Sequence, residues 1–351
     1  MKKYKRALIL AGGGNRFAVY AAMYSALVEH KLAPDLILGS CGASLSSAII
    51  SHLVEPQRIK KYLKSKEFYS LVKNIKLTEQ KKIFKLPFYL LSNALLARQK
   101  IYTQDIIKKF LIDFPTEIEK FLVNLAKEKP KIDSIIIASK LDFENSNFYK
   151  TMNKQKIYKE LILTNIKEDI ELQTIFRTKA YQNSLIDNKI EIIKEFSLLK
   201  ASRISMSDMF LISPVLYKDN YLFGGAVDLL PIEIANSLAE DIFLELKQSY
   251  TFIENSVLKN VLAYDGNARF KDVLSLNASH WIDSSDIPKY FKKYYNLFSF
   301  NFFKMELQLN IPTYEQYCED VDLQWNYGYS RVLESLKLEK NFKKHQRIKI
   351  K

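Results

Sequence analysis

The stretch Arg6–Ile50 decides the fold, and it reads RALILAGGGNRFAVYAAMYSALVEHKLAPDLILGSCGASLSSAII. The apolar run Ala7–Leu10 predicts a strand buried on both faces, because parallel strands covered by helices read as unbroken apolar runs. Three glycines follow it, and Phe17–His30 then carries apolar residues at helical spacing. A second apolar strand at Leu36–Leu38 leads through a tight turn into another helix, which we expect to continue to Ile50.

Two loops therefore follow neighbouring strands of the predicted sheet. Gly12–Gly14 comes after the first strand, and Gly39–Ala43 makes the turn after the second. Open α/β sheets place their sites at the carboxyl ends of the strands, so we expect both loops to border one site. The predicted fold class is α/β, with a mostly parallel central sheet flanked by helices.

These loops resemble the motifs of the patatin-like phospholipases. In that family a G-G-G-x-R-G loop forms the oxyanion hole, a G-x-S-x-G elbow carries the nucleophilic serine, and a later D-G-G supplies the dyad aspartate. Here the three motifs stand as Gly12-Gly13-Gly14-Asn15-Arg16-Phe17, Gly39-Ser40-Cys41-Gly42-Ala43 and Phe223-Gly224-Gly225. The resemblance extends from about Lys5 to about Leu338 and implies a three-layer patatin-like domain that acts on or binds acyl lipids or phospholipids.

Two catalytic positions depart from the family pattern. Cys41 stands at the nucleophile position, and Phe223 stands at the position of the dyad aspartate, where it cannot act as a base. The small residues Gly39 and Ala43 are retained around Cys41, as a strained strand-to-helix turn requires. Fold and activity are therefore separate questions for this chain.

Acyl transfer needs a nucleophile, a base and donors for the oxyanion. Gly12, Gly13 and Gly14 let backbone N–H groups approach a ligand closely, and Arg16 adds a cation at the start of the next helix. A helix N-terminus lowers a cysteine pKa from about 8.5 to about 7.5 or below, so Cys41 is predicted to be partly ionised without a carboxylate at position 223. The nearest acids in the sequence are Asp219 and Asp228.

Two alternatives for the elbow remain open. Ser44 becomes the nucleophile if the motif is placed on Gly42-Ala43-Ser44-Leu45-Ser46, a shift of three residues. Cys41 is otherwise a small buried hydrophobic residue without chemistry. His52 lies about three helical turns beyond Cys41, too far to act as its base. The histidines have no metal-ligand spacing, so neither a metal nor another cofactor is expected.

Composition limits the remaining classes of binding partner and cellular location. The 351 residues carry a net charge of +14, which suits contact with an anionic membrane, although a plainly lysine-rich composition explains it equally well. No nucleic-acid-binding motif is visible, so no nucleic acid is expected. The two cysteines make no disulfide framework, and no leader or membrane-spanning run is visible. We therefore expect a cytoplasmic protein, either free or peripheral at the membrane.

The rest of the chain is expected to form one domain over residues 1–338, followed by a basic tail over 339–351. The apolar centre of residues 81–98 is too short to span a bilayer, and it is a buried helix, a lid or a membrane contact. Residues 152–195 are expected to be mostly helical. Leu216–Phe223 predicts a hairpin and Glu319–Leu336 a terminal helix.

Three functions follow from these observations. The first is a lipid-binding member of the family whose Ser/Asp hydrolase activity is lost or much reduced. The alternative is an active acyl hydrolase or acyltransferase that uses Cys41, or less readily Ser44, with an oxyanion hole at Gly12–Gly14. The third is a scaffold for protein contacts. The sequence does not address the oligomeric state.

Overall fold

The computed structural model describes most of the chain, namely residues 2–79, 108, 110–141, 156–170, 179–276, 278–291, 297–301 and 306–338. The strands are β1 Tyr4–Leu10, β2 Leu36–Ser40, β3 Lys76–Leu77, β4 Ile112–Asp113, β5 Asp133–Leu141, β6 Tyr158–Thr164, β7 Ile186–Ile193, β8 Val215–Tyr217, β9 Asn220–Phe223, β10 Ala239–Leu246, β11 His280–Asp283, β12 Phe298–Asn301 and β13 Glu306–Leu309. The helices are α1 Phe17–Glu29, α2 Gly42–Leu53, α3 Pro56–Leu63, α4 Lys66–Lys73, α5 Val123–Lys127, α6 Leu198–Ser205, α7 Ile232–Leu238, α8 Phe252–Leu262, α9 Gly266–Ser275, α10 Ile287–Tyr290 and α11 Tyr314–Leu338.

One large sheet organises the described residues. Seven of its strands follow the order β11–β10–β1–β2–β5–β6–β7, and the hairpin β8–β9 joins it through β9 and β5. The five strands from β11 to β5 are parallel, whereas β6 and β7 run antiparallel to them. The carboxyl ends of β10, β1 and β2 therefore lie side by side at one edge of the sheet.

The sheet is covered on both faces, which explains the unbroken apolar strands. In β1, Leu8 and Leu10 pack into one core with helices α1, α2, α6 and α11. Ala7 and Ile9 point the other way, into a second core with α7, α8 and α9. Because successive side chains of a strand face opposite sides, only a strand buried on both sides needs four consecutive apolar residues. The arrangement is the three-layer α/β fold that the sequence predicted.

The long helix α11 closes the fold against α1. A Cβ on Gly328 would overlap the backbone of Val19, so the two helices approach closely only because this position is glycine. Gln324 of α11 accepts a hydrogen bond from the Ala18 N–H, at 3.3 Å, and so occupies one of the open donors at the start of α1. The C-terminal helix thus supports the helix that follows the glycine loop.

One expectation about secondary structure is wrong, and others fall outside the described residues. Residues 152–195 were expected to be mostly helical, but they contain the strands β6 and β7. These strands form one end of the sheet, where β7 is only partly covered and its polar residues break the apolar pattern. The apolar segment at 81–98 and the tail at 339–351 lie outside the described residues.

Candidate active site

Cys41 occupies the turn between β2 and α2, where a strand passes directly into a helix. Its backbone has φ 50° and ψ −133°, a conformation that a non-glycine residue adopts only under local constraint. The turn is tight, because a Cβ on Gly39 would overlap the Ser47 hydroxyl and would lie 3.0 Å from Ser44 Cα. This geometry presents the thiol at the carboxyl end of β2, as a nucleophile elbow does.

The glycine loop after β1 lies directly against this elbow. A Cβ on Gly12 would stand 2.5 Å from the Cβ of Cys41. Gly14 has φ 65°, and its backbone packs against Gly42, where a side chain would overlap it. The two loops therefore meet at one site, and the close approach requires glycine on both sides of the contact.

Two backbone donors of the glycine loop are open. The Gly12 N–H donates to the Ser40 hydroxyl at 3.3 Å, so it is already occupied. Within the described part of the chain, neither the Gly13 N–H nor the Gly14 N–H donates a hydrogen bond, and Gly14 is exposed. Arg16 lies at the start of α1, at the end of the same loop. Gly13 and Gly14 therefore have the free N–H groups that an oxyanion hole needs.

An acid lies beside the thiol, and it is Asp208. The Cys41 Sγ donates a hydrogen bond to Asp208 Oδ2 at 2.9 Å. Asp208 belongs to the turn after α6, which is joined to the glycines after β9 by a 2.8 Å bond from the Gly224 N–H to the Ser207 carbonyl. Its other oxygen, Oδ1, is buried and has no hydrogen-bond partner among the described residues. A nucleophile and a carboxylate are thus in direct contact.

The position of β9 explains how Gly224 and Gly225 reach the elbow. The pairing of β2 with β5 ends at Ser40 and Ile137, and β9 then pairs with β5 at Ser139. β9 therefore takes the place along β5 that β2 leaves at Cys41. Phe223 ends this strand with its ring fully buried in the second core, so the side chain that the resemblance assigns to the dyad position packs in the interior.

A buried arginine holds the acid in place. Arg203 of α6 donates to the Ser207 hydroxyl at 2.7 Å, to the Ser213 carbonyl at 3.2 Å and to the Pro115 carbonyl at 2.8 Å. These bonds fix the chain on both sides of Asp208, because Ser207 and Ser213 flank its turn. A guanidinium can do this from one position because it carries five donors in a rigid plane.

The electrostatics of the pair differ from the expectation for Cys41. Burial raises the pKa of the Cys41 thiol, and the adjacent Asp208 carboxylate raises it further. The Gly42 N–H and Lys247 act in the lowering direction, but more weakly. The predicted ionisation of Cys41 by the helix N-terminus is therefore wrong, because burial and a neighbouring anion outweigh it. Burial also raises the pKa of Asp208, to about 6, close to the range of a general base.

The other candidate residues lie in structural positions. Ser44 is buried in the first turn of α2, and its hydroxyl donates to the Cys41 carbonyl at 2.5 Å. Asp219 is exposed in the turn between β8 and β9. Asp228 is buried and forms an ion pair with Arg269 at 3.3 Å. None of these contacts places a base next to the Ser44 hydroxyl.

Sequence reasoning missed Asp208, although a signal was present. Ala201-Ser202 and Pro214-Val215 lie in the stretch that the family resemblance places beside the active site. Between Glu195 and Asp219, Asp208 is the only acidic residue. A search for any carboxylate in that stretch, rather than one at position 223, would have found it.

The described residues offer neither a metal site nor a histidine near Cys41 that is free to act as its base. Within the described ranges, no group of three or more His, Cys, Asp or Glu side chains is placed to hold a metal ion. His52 is buried and bonds to the Ala48 carbonyl within its own helix. Of the helices that the structure describes, none combines the length and apolar character needed to cross a bilayer.

Comparison with known proteins identifies a family and finds structural likenesses. A family model described as patatin-like phospholipase matches residues 8–236. None of the curated proteins matches the chain. Among solved structures, VipD from Legionella pneumophila is similar, with 12% identity over 95% of this chain and 67% of that one, and a TM-score of 0.34. The family match covers the glycine loop, the elbow, Asp208 and the glycines after β9.

Proposed function

The chain belongs to the patatin-like phospholipase family, and from that premise we propose that it transfers acyl groups from lipid esters with Cys41 as nucleophile. The observation that carries the proposal is the 2.9 Å contact between Cys41 Sγ and Asp208 Oδ2. A family member that lacks both the serine and the usual aspartate still has a nucleophile with a base beside it. The acid is supplied from the turn after α6 instead of the end of β9.

The proposed reaction proceeds through a thioester. Cys41 Sγ attacks the ester carbonyl carbon as its proton passes to Asp208 Oδ2, and the carbonyl π electrons move to oxygen. When the tetrahedral intermediate collapses, the C–O bond of the ester breaks and Asp208 protonates the leaving alcohol. Water or a second alcohol then attacks the thioester with Asp208 as base, which releases the acyl product and restores the thiol. Hydrolysis and acyl transfer differ only in the attacking molecule.

The donors for the intermediate are the open N–H groups of Gly13 and Gly14. Both belong to the loop that touches the elbow through Gly12 and Gly14. A donor aimed at a developing oxyanion accelerates a reaction by about 10²- to 10³-fold. Gly12 contributes close packing against Cys41, since its own N–H is bonded to Ser40.

A second function is favoured by the state of the thiol. Because burial and Asp208 both raise the pKa of Cys41, the nucleophile is neutral at rest. Phe223 also leaves nothing at the usual acid position. A lipid-binding protein with little or no turnover would have the same loops. This is the function that we expect if the thiol does not react.

The wider setting is also proposed. The ligands are acyl lipids or phospholipids, and a single domain over residues 1–338 binds them. The net charge of +14 supports contact with an anionic membrane surface.

The test measures turnover of a short-chain phospholipid and a soluble aryl ester by Cys41→Ala, Asp208→Asn and Ser44→Ala. We expect turnover to be abolished in Cys41→Ala, reduced in Asp208→Asn and retained in Ser44→Ala. Cys318→Ala is the matched control, since it removes the other thiol. Stopped reactions should carry one acyl group on Cys41, which hydroxylamine releases as a thioester does.

Opposite results would identify a different function. Turnover that survives Cys41→Ala and is lost in Ser44→Ala would move the nucleophile to Ser44. Lipid binding without turnover in the wild type would support the second function, lipid binding without catalysis.

A further inference from the structure

One amide of the C-terminal helix holds the end of the glycine loop. Gln324 of α11 is buried, and its Oε1 accepts a hydrogen bond from the Ala18 N–H at 3.3 Å. Its Nε2 donates a longer bond to the Asn15 carbonyl at 3.4 Å. Among the described residues, no other side chain hydrogen-bonds to the backbone of residues 13–16. The amide therefore joins α11 both to the loop and to the first turn of α1.

Asp320, one turn before Gln324 in α11, fixes the direction in which this amide points. Its Oδ2 accepts a hydrogen bond from Gln324 Nε2 at 2.7 Å. An ionised carboxylate only accepts hydrogen bonds, and the Ala18 N–H only donates one. The amide nitrogen must therefore face Asp320 while the amide oxygen faces Ala18. A reversed amide would set two donors against each other at Ala18 and two acceptors against each other at Asp320.

The surroundings of Asp320 give its carboxylate few other partners. It faces a crevice that α1, α3, α4 and α11 line mainly with apolar side chains, such as Phe17 and Val72. Among the described residues that line this crevice, Tyr317 is the only other titratable group, and burial keeps its pKa well above the usual range. Burial raises the pKa of Asp320 to about 6, and the bond from Gln324 acts in the lowering direction. The ionised form present at neutral pH is thus the form that Gln324 supports.

We propose that Gln324 and Asp320 position the glycine loop so that the open N–H groups of Gly13 and Gly14 point at the developing oxyanion. The inference rests on the proposed function and deepens it, since it names what holds the donors in place. The Gly14 N–H lies only two planar peptide units before the Asn15 carbonyl, so fixing this carbonyl restricts the donor. Both proposed residues act through the loop and are positioning residues. They belong to α11, outside the stretch that the family model matches.

The test compares kcat and KM for a soluble aryl ester between the full-length wild type and three variants. Gln324→Met and Asp320→Leu each remove one partner and leave a side chain of similar size that suits the apolar crevice. Ser335→Ala is the matched control, because it removes a different hydrogen bond of α11, 2.7 Å long, to the Trp281 carbonyl of β11. Thermal unfolding checks that each variant folds, and Asp320→Leu tests the same contact if Gln324→Met does not.

We expect kcat to fall about 10- to 100-fold in Gln324→Met and Asp320→Leu, because a small displacement of an oxyanion donor is costly. KM should change little, since the donors act on a charge that develops only in the transition state. Ser335→Ala should keep the wild-type kcat even where its melting temperature is lower. A purely structural role of α11 would affect all three variants according to their loss of stability.

Gln324→Glu adds a pH dependence that distinguishes this contact. Two adjacent carboxyls share one proton, and the shared proton reproduces the bond to Asp320 while the other oxygen accepts from Ala18. At higher pH both carboxyls ionise and repel each other, which releases the loop. The ratio of kcat in Gln324→Glu to kcat in the wild type should therefore rise as the pH falls from 8 to 5. The titration of Asp208 is common to both proteins and cancels in this ratio.

Amide hydrogen exchange measured by NMR is the second readout, and it requires no turnover. The Ala18 amide should exchange about 2- to 10-fold faster in Gln324→Met than in the wild type or Ser335→Ala, the usual effect of losing one hydrogen bond. The proposal is overturned if Gln324→Met keeps the wild-type kcat, if Ser335→Ala loses as much kcat, or if exchange at Ala18 is unchanged.

Failure of this inference can be told apart from failure of the proposed function. Turnover that is lost in Cys41→Ala but unchanged in Gln324→Met would reject the positioning role and keep Cys41 as the nucleophile. A wild type without turnover would reject the proposed chemistry. Exchange at Ala18 would then decide by itself whether Gln324 holds the loop.

Discussion

Replacing Asp208 with asparagine separates the proposed catalytic role of this residue from its effect on stability. Burial raises the pKa of Asp208 from 3.8 to about 6 in the folded protein. At about 1.36 kcal/mol per pKa unit, ionising this carboxyl costs the folded state up to about 3 kcal/mol at pH 7. Below pH 3.8 the carboxyl is neutral in both the folded and the unfolded state, so it does not lower the stability of the fold. Because its pKa is higher in the folded state, this stability is lost as the pH rises through about 6.

Asp208→Asn should therefore be less active and more stable than the wild type. Loss of a general base lowers turnover by about 10²- to 10⁴-fold. A gain of about 3 kcal/mol, set against an unfolding entropy of about 2.1 cal/mol/K per residue over this chain, raises the melting temperature by about 4 °C at pH 7. This is an upper value, because an amide oxygen accepts a weaker hydrogen bond from the Cys41 thiol than a carboxylate does.

The assay is thermal unfolding of both proteins between pH 4 and pH 8, with turnover of a soluble ester measured on the same samples. The difference in melting temperature should grow from nearly zero at low pH to a plateau near neutrality. Asp219→Asn is the control, since Asp219 is exposed and has φ 64°, which asparagine tolerates. The reasoning is refuted if Asp208→Asn keeps full turnover, or if it is the less stable protein at every pH.

Two further predictions concern the glycine loop and the membrane. Gly13→Ala should lower turnover by about 10²-fold in steady-state assays, because its methyl group meets the Tyr20 hydroxyl and displaces an oxyanion donor. Adding Tyr20→Phe to this variant should restore part of the lost turnover. If turnover does not recover, another contact displaces the loop. In vesicle sedimentation, the protein should bind anionic lipid, at about 1 kcal/mol per surface Lys or Arg, and salt should weaken the binding; equal binding to neutral vesicles would contradict an electrostatic contact.

The central part of the fold was predictable because its signals are local. The apolar run of β1 indicates burial on both faces, and the glycines after it indicate a close backbone contact. The strand, loop and helix at residues 4–29 therefore appear in the structure nearly as predicted. The strands β6 and β7 were not predictable in this way. Lys159 and Glu160 interrupt the apolar pattern of β6, and β7 alternates charged and apolar residues without a fully buried face.

The acid beside Cys41 depends on information that no local pattern contains. Asp208 is 167 residues from Cys41 in sequence, and the pair meets because β2 ends where β9 begins to pair with β5. That junction brings the turn after α6 and the glycines after β9 to the same point, so a carboxylate from either segment can reach the nucleophile. Phe223 can therefore pack into the core while Asp208, in the adjoining turn, places a carboxylate beside Cys41. A motif comparison registers only the missing aspartate, whereas the geometry requires only that some carboxylate occupy that point in space.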